Sequence, residues 1–245
     1  MIKLISSGAF SKPKDKSRAN QDSILPPLAI ENGILFAIAD GVGSYEGSGL
    51  ASSLAIKKLK ELIESNFLIE THAVFKSIKE TINDISLNQL SLEQSATTLT
   101  YCHVFDEKIM VGHVGDCRLY IKSGSKYLQI TKDHTQHQKL LDEKLFTKAE
   151  LKKMSGKNTL TSAISKGVPL DVQEVSLSLV DYADENGLVN LVVMSDGAHH
   201  YWHQRPTFSE KTMINPLSFC SSLLKRIERG GPVDDYSLIA IQIKI

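Results

Sequence analysis

Four short apolar runs each meet an aspartate flanked by a glycine, a small residue or a second acid. This recurrence constrains the chain more than any other feature. The runs are Ile34–Ala39 before Asp40-Gly41, Ile109–Val114 before Gly115-Asp116, Leu188–Met194 before Ser195-Asp196-Gly197, and Leu238–Ile241 just after Asp234-Asp235. Runs this short and apolar are expected to be buried strands. Carboxylates at their tips then converge where the sheets end at solvent. Gathered like charges coexist only with raised pKa values or a bound cation. Oxygen donors without accompanying Cys or His select hard ions, Mg²⁺ or Mn²⁺.

The order of the remaining elements decides the architecture. A strand is expected near Ile2–Ser7, then a polar, basic loop from Ser11 to Asp22, then a strand at 34–39. The glycine-rich turn 40–49 leads into a helix from Leu50 to about Ser65, and a second helix spans Thr71 to Leu90. Thr97–Phe105 and Lys108–Val114 form a hairpin about Asp106-Glu107, and Arg118–Ile121 with Tyr127–Ile130 a second one. Residues 134–155 are helix-prone, strands follow at 172–180 and 188–194, a helix near 209–229, and a last strand at 236–244. Hairpins lie next to hairpins and helices come in pairs. The expected fold class is therefore α+β, antiparallel sheets with helices stacked outside them.

Composition excludes several function classes. The 245 residues contain no Pro/Gly/Ser-rich linker, so one domain over 1–245 is expected. Lys plus Arg equals Asp plus Glu at 28 each, and no basic stripe carries interleaved aromatics, which disfavours nucleic-acid binding. Three cysteines without C-x-x-C spacing argue against a disulfide framework or a structural zinc site and fit a reducing compartment. The N-terminus turns polar after a few positions, and nothing approaches the ~20 apolar residues of a membrane span. A soluble cytoplasmic protein with no membrane partner is expected.

Two hard ions sharing a bridging carboxylate, ~3.5–4 Å apart, would hold a water and lower its pKa, the machinery for attack on a phosphorus ester. Gly41 has no side chain, so its carbonyl could also face a metal. Seven segments then carry a resemblance: Arg18-Ala-Asn-Gln-Asp22, Ala39-Asp-Gly-Val-Gly43 followed by Ala51-Ser52, Ser95-Ala-Thr-Thr98, Val114-Gly-Asp-Cys-Arg118, Ile130-Thr-Lys-Asp-His134, Met194-Ser-Asp-Gly197 and Asp234-Asp-Tyr-Ser237. In this order they resemble the motifs of the metal-dependent Ser/Thr protein phosphatases, the type-2C class, especially its compact bacterial members.

The resemblance implies a four-layer α/β/β/α sandwich with a two-metal centre of Mn²⁺ or Mg²⁺. In that picture Asp40 bridges both ions, the Gly41 carbonyl binds the second, Asp196 and Asp234 complete the first, and Asp22 holds metal-bound water. Asp116 would join Asp196 at a third metal site that bacterial members often show. The implied reaction is in-line attack of a metal-bridging hydroxide on phosphoserine or phosphothreonine, with no phosphoenzyme. The substrate would be a phosphorylated protein, a Ser/Thr kinase or its target, and the enzyme a monomer. Asn158-Thr-Leu-Thr-Ser-Ala163 supports the match through the middle of the chain, and about 134–167 stands where the family carries a flap.

Departures locate the open questions. The family's phosphate-gripping arginine usually stands where Ser17 is, leaving Arg18, one place later, as the choice for a bidentate phosphate contact. Val42 cannot donate a proton, Ser44 replaces a glycine, and Asp235 replaces the usual Asn and is expected to face solvent. Lys14 and Lys16 read as exposed. His134 reads as a structural hydrogen-bonding residue, and His199, His200 and His203 as a surface patch. Two other readings share the pattern: a phosphatase dedicated to one bacterial partner-switching regulator, and a non-catalytic pseudophosphatase. The second would need missing ligands, yet Asp40, Gly41, Asp196 and Asp234 are all present.

Overall fold

The computed structural model describes residues 2–43, 47–64, 70–88 and 92–245. Ser44 lies outside these residues, as do the expected helix ends at Ser65 and at 89–90. Two five-stranded antiparallel sheets face one another. The first has the order β1 (Lys3–Lys12), β12 (Tyr236–Lys244), β11 (Leu188–Met194), β7 (Arg118–Ser123), β8 (Lys126–Gln129). The second has the order β10 (Gln173–Ser178), β6 (Lys108–Val114), β5 (Leu99–Phe105), β3 (Gly33–Asp40), β2 (Asp22–Ile30). A two-stranded ribbon pairs β4 (Ala96–Thr97) with β9 (Ile164–Ser165).

Helices cover both outer faces, which explains the near-continuous apolar runs. In β3, Ile34, Phe36 and Ile38 point into the space between the sheets. There they join Val189, Leu191 and Val193 of β11 and Ile239, Ile241 and Ile243 of β12. The alternate residues Leu35, Ala37 and Ala39 pack under α1 (Ser48–Glu64) and α2 (Thr71–Asn88), against Ala55, Leu59, Phe75 and Ile78. On the far side, Val192, Met194, Leu238 and Ala240 pack under α5 (Asp196–Gln204) and α7 (Pro216–Gly230), against Trp202, Phe219 and Leu223. Each inner strand thus buries both of its faces, and the layers run helix, sheet, sheet, helix as expected. Among the described residues, no helix is long and apolar enough to cross a membrane.

Several expectations shift in detail. The first strand continues to Lys12, and β2 begins at Asp22, so the basic loop shortens to 13–21. Strand β2 itself was not expected, because Pro26-Pro27 interrupts its pattern. The structure tolerates the pair because β2 is an edge strand and its register shifts between Leu25 and Leu28. The helix expected over 209–229 divides into α6 (Glu210–Met213) and α7. Asn215 caps α7 through a bond from Ser218 N–H, with Pro216 in its first turn. Residues 134–155 carry two short helices, α3 (Gln136–Asp142) and α4 (Lys148–Leu151), the latter opened by a Thr147/Glu150 capping box.

Candidate active site

Strand ends from both sheets bring the aspartates together. Asp40 ends β3, and Asp22, which opens β2, is its direct partner in the ladder. Asp116 lies in the crossing from β6 to β7, Asp196 opens α5 after β11, and Asp234 precedes β12. Asp40, Gly41, Asp116, Asp196 and Asp234 line one cavity of about 250 Å³, together with Lys14, Arg18, Gln21, Thr98 and Asn158. Asp22 sits behind this wall, 5% exposed.

The electrostatics report the same gathering. Burial pushes Asp40 well above the usual carboxylate range, and the charges of Asp22, Asp196, Asp116 and Asp234 push it further. Asp22 is raised to about 7, first by burial; hydrogen bonds from Ser237 and Ser195 hold it back, and Asp196 and Asp235 add repulsion. Asp196 is raised to about 6 by burial and by Asp234. Asp116 is raised well above its ordinary value by burial, with Asp196 and Asp133 contributing.

This donor set fits a hard divalent cation. One oxygen of Asp22, Oδ2, accepts from Ser195 Oγ at 2.8 Å, whereas Oδ1 is buried with no hydrogen-bond partner, an unmet demand for positive charge. Among the described residues, no trio of His, Cys, Asp or Glu forms a ready-made metal cage. Mg²⁺ and Mn²⁺ do not need one, because ions of this type keep several waters.

The backbone around Asp40 is held from its partner motif. Thr98 Oγ1 accepts the Asp40 N–H at 3.1 Å, and the Asp40 carbonyl accepts from Thr97 Oγ1 at 2.9 Å and from Thr98 N–H at 2.8 Å. The Ser95-Ala-Thr-Thr98 motif is thus a clamp on the strand end. Gly41 is required by space: a Cβ there would meet the carbonyl oxygens of Ser48 at 2.5 Å and Gln21 at 2.8 Å. Gly197 answers a similar need, since a Cβ would collide with the Asp235 carbonyl and α5 could not start so close to the 234–235 loop.

Asp235 is where the structure corrects the sequence reading most clearly. It is 3% exposed and fastens the 13–21 loop. Its Oδ1 accepts the Lys14 N–H at 2.7 Å, and its Oδ2 accepts the Gln21 N–H at 2.7 Å and lies 3.3 Å from Arg18 Nη2. Arg18 also donates to Gln21 Oε1 at 3.1 Å and remains partly open to the cavity. Lys14 is exposed, as expected, yet it stands on the cavity wall. Lys16 is exposed.

Of the three histidines expected as a surface patch, His203 is exposed and His200 half-buried, while His199 turns toward the site. His199, half-buried on α5, donates through Nε2 to the Asp116 carbonyl at 3.2 Å. His203 Nε2 accepts from Arg118 Nη1 at 2.6 Å and lies 2.8 Å from Tyr120 Oη, while Arg118 grips both oxygens of Asp133 at 2.7 and 2.5 Å. Loss of water around the ring and the adjacent Arg118 charge push His203 down to about 4. His134 accepts the Gly115 N–H on Nδ1 at 3.1 Å, a structural bond as expected. Gln21, Thr98 and Leu160 on the cavity wall were not singled out as site residues; only their motif membership could have found them.

Two antiparallel sheets under paired helices, with aspartates collected at one end, define a known class. The protein phosphatase 2C family profile matches residues 14–229. The chain is 26% identical to the protein phosphatase PhpP of Streptococcus pneumoniae over 192 residues, 74% of this chain and 78% of that one. It is 25% identical to the serine/threonine phosphatase stp of Listeria monocytogenes over 175 residues, 68% of this chain and 67% of that one. The fold matches the serine/threonine phosphatase PstP/Ppp of Mycobacterium tuberculosis with a TM-score of 0.77 at 22% identity, covering 99% of each chain. A second structure of the PstP catalytic domain, in complex with two manganese ions, matches with a TM-score of 0.75 at 22% identity, covering 100% of each. The chain belongs to the protein phosphatase 2C family and is a protein serine/threonine phosphatase of that class.

Proposed function

We propose that the chain hydrolyses phosphoserine and phosphothreonine esters of proteins in a divalent-metal-dependent reaction, opposing a Ser/Thr kinase. The observation that carries this reading is the single cavity lined by Asp40, Gly41, Asp116, Asp196 and Asp234, with Asp22 behind it and the pKa values of four of these carboxylates raised. Asp40, the Gly41 carbonyl, Asp196 and Asp234 would hold Mn²⁺ or Mg²⁺, with Asp22 bonding water beside them and Asp116 available for a further ion. The chemistry such ions supply is an acidified water for attack on phosphorus and positive charge for the phosphoryl oxygens.

The chain's own residues do the positioning. Arg18 offers a planar fork of N–H donors to two phosphoryl oxygens, the geometry in which arginine outperforms lysine. Asp235 aims that fork by tying down the loop on which it sits. Lys14 adds charge from the same wall. Val42 offers no proton and His134 is not on the cavity wall, so the leaving oxygen would receive its proton from water in the cavity. Asn158 and Leu160 bring segment 134–167 to the cavity wall, which supports reading it as a flap.

Release of inorganic phosphate from a phosphothreonine peptide tests the reading. Turnover should require Mn²⁺ or Mg²⁺ and vanish with chelator or in Asp40→Asn. A correctly folded wild-type protein that is inactive with either ion, as a pseudophosphatase would be, overturns it.

A further inference from the structure

A second, larger cavity of about 940 Å³ lies between segment 133–158 and α5. Asp116, Asn158, Asp196 and Asp234 line both this cavity and the smaller one, so the two adjoin. The small cavity accounts for a phosphoryl group and its ions. The large one approaches the upper end of the ~300–1,000 Å³ typical of ligand sites, far more room than a single phosphoresidue needs. Whatever fills it lies beside the group being hydrolysed.

Its charge is distributed unevenly. The aspartates cluster at the shared end, and Asp133 is consumed by Arg118. Segment 133–158 adds Lys148, Lys152 and Lys157 to the lining, all exposed and, among the described residues, outside any ion pair. Lys157 also bears on His199, His200 and His203, and Lys148 on His203, in each case disfavouring the proton on the ring. The positive charge therefore reaches across the cavity to the α5 wall. Leu141, buried Leu151 and half-open Met154 give the same space an apolar lining.

We infer that this cavity seats the polypeptide flanking the phosphoresidue and selects substrates carrying acidic side chains there, paired with Lys148, Lys152 and Lys157. The inference rests on the phosphoprotein phosphatase reading above and adds the substrate class. Acids immediately beside the phosphoresidue would face the aspartate cluster and be repelled. The favoured acids lie further along the chain, beside these lysines, with apolar neighbours against Leu151 and Met154.

The test compares phosphothreonine peptides that share the residues next to the phosphothreonine and differ further out, acidic, neutral or basic on either flank. The wild type should favour an acidic flank over a basic one by about tenfold in kcat/KM at low salt, roughly what a few exposed ion pairs supply together. Raising the ionic strength should shrink that ratio, because the pairs are open to solvent. Combined Lys148→Gln, Lys152→Gln and Lys157→Gln should bring the ratio toward one, and the corresponding Glu variants should invert it. A wild-type ratio near one, or a ratio unchanged in both variant sets, overturns the inference. p-Nitrophenyl phosphate has no flanking chain and separates the two levels. If Mn²⁺-loaded wild type turns over neither it nor any peptide, the phosphatase reading itself fails; if it turns it over but ignores the flanks, only the cavity assignment does.

Discussion

Asp235 Oδ2 takes the backbone N–H of Gln21 at 2.7 Å and lies 3.3 Å from Arg18 Nη2, so one buried carboxylate fixes both the loop and the arginine it presents. Its other oxygen takes the Lys14 N–H. Asp235→Asn keeps one acceptor oxygen, and its NH₂ then faces either the Lys14 N–H or the Gln21 N–H together with Arg18, donor against donor. The expected cost is about 1–3 kcal/mol of stability from the donor left unsatisfied, seen in chemical denaturation. KM for a phosphopeptide should rise more than kcat falls, since Arg18 is loosened rather than removed. Wild-type stability and kinetics in this variant would show that the loop is held by something else.

Proton linkage predicts how metal affects stability. Asp22, raised to about 7, and Asp196, raised to about 6, have folded pKa values above their unfolded ones. Their favourable contribution is present below about pH 4 and is lost as pH rises through 6 to 7. His113 acts in the opposite sense. Burial and the neighbouring His134 push it down to about 3, so its contribution is present above about pH 6.5 and is lost as pH falls. The chelator-treated protein should therefore melt highest between these limits. Mn²⁺ favours the ionised aspartates, so its gain in Tm should grow from pH 5 to pH 8. At a hundred times Kd the gain is about 2.7 kcal/mol, roughly 5–11 °C for a chain of this size. An Mn²⁺ increment that is flat or shrinks with pH in thermal scans would contradict the carboxylate assignment.

Gly41→Ala places a methyl group between two backbone oxygens that belong to different segments, those of Ser48 and Gln21. Neither can rotate away, so the strand end must move. A loss of about 1–3 kcal/mol is expected, with a weaker apparent affinity for Mn²⁺ in the activation of turnover, because the Gly41 carbonyl moves with the backbone. Unaltered Mn²⁺ activation would remove Gly41 from the ligand set.

The layered fold was legible because its signals are local. Strands at 34–39, 108–114, 188–194 and 236–244 stand within a residue or two of where their apolar runs place them. The Asp106-Glu107 hairpin forms with both residues at positive φ, 43° and 60°, as a tight two-residue turn requires. Strand β2 was hidden because prolines mask an edge strand, and α5 because it opens on an aspartate and a glycine and three of its residues are histidines, weak helix formers. The positions of Asp40, Asp116, Asp196 and Asp234 followed from strand ends. The role of Asp235 did not, because its partners Lys14 and Gln21 lie 221 and 214 residues away. A second acid in a turn looks solvated until the fold delivers its donors.

The inner strands are greasy on both sides, and that leaves hydrophobicity with nothing to say about alignment. In a half-solvated sheet, a one-residue slip is punished because it turns oily side chains outward. Here a slipped β3 would merely exchange Ile34, Phe36 and Ile38 for Leu35, Ala37 and Ala39, and every position would stay dry. What such an error would disturb is the tip, drawing Asp40 out of step with Asp22 and off its threonine clamp. The acids proposed to hold the ions thereby double as the marks by which the strands find their places.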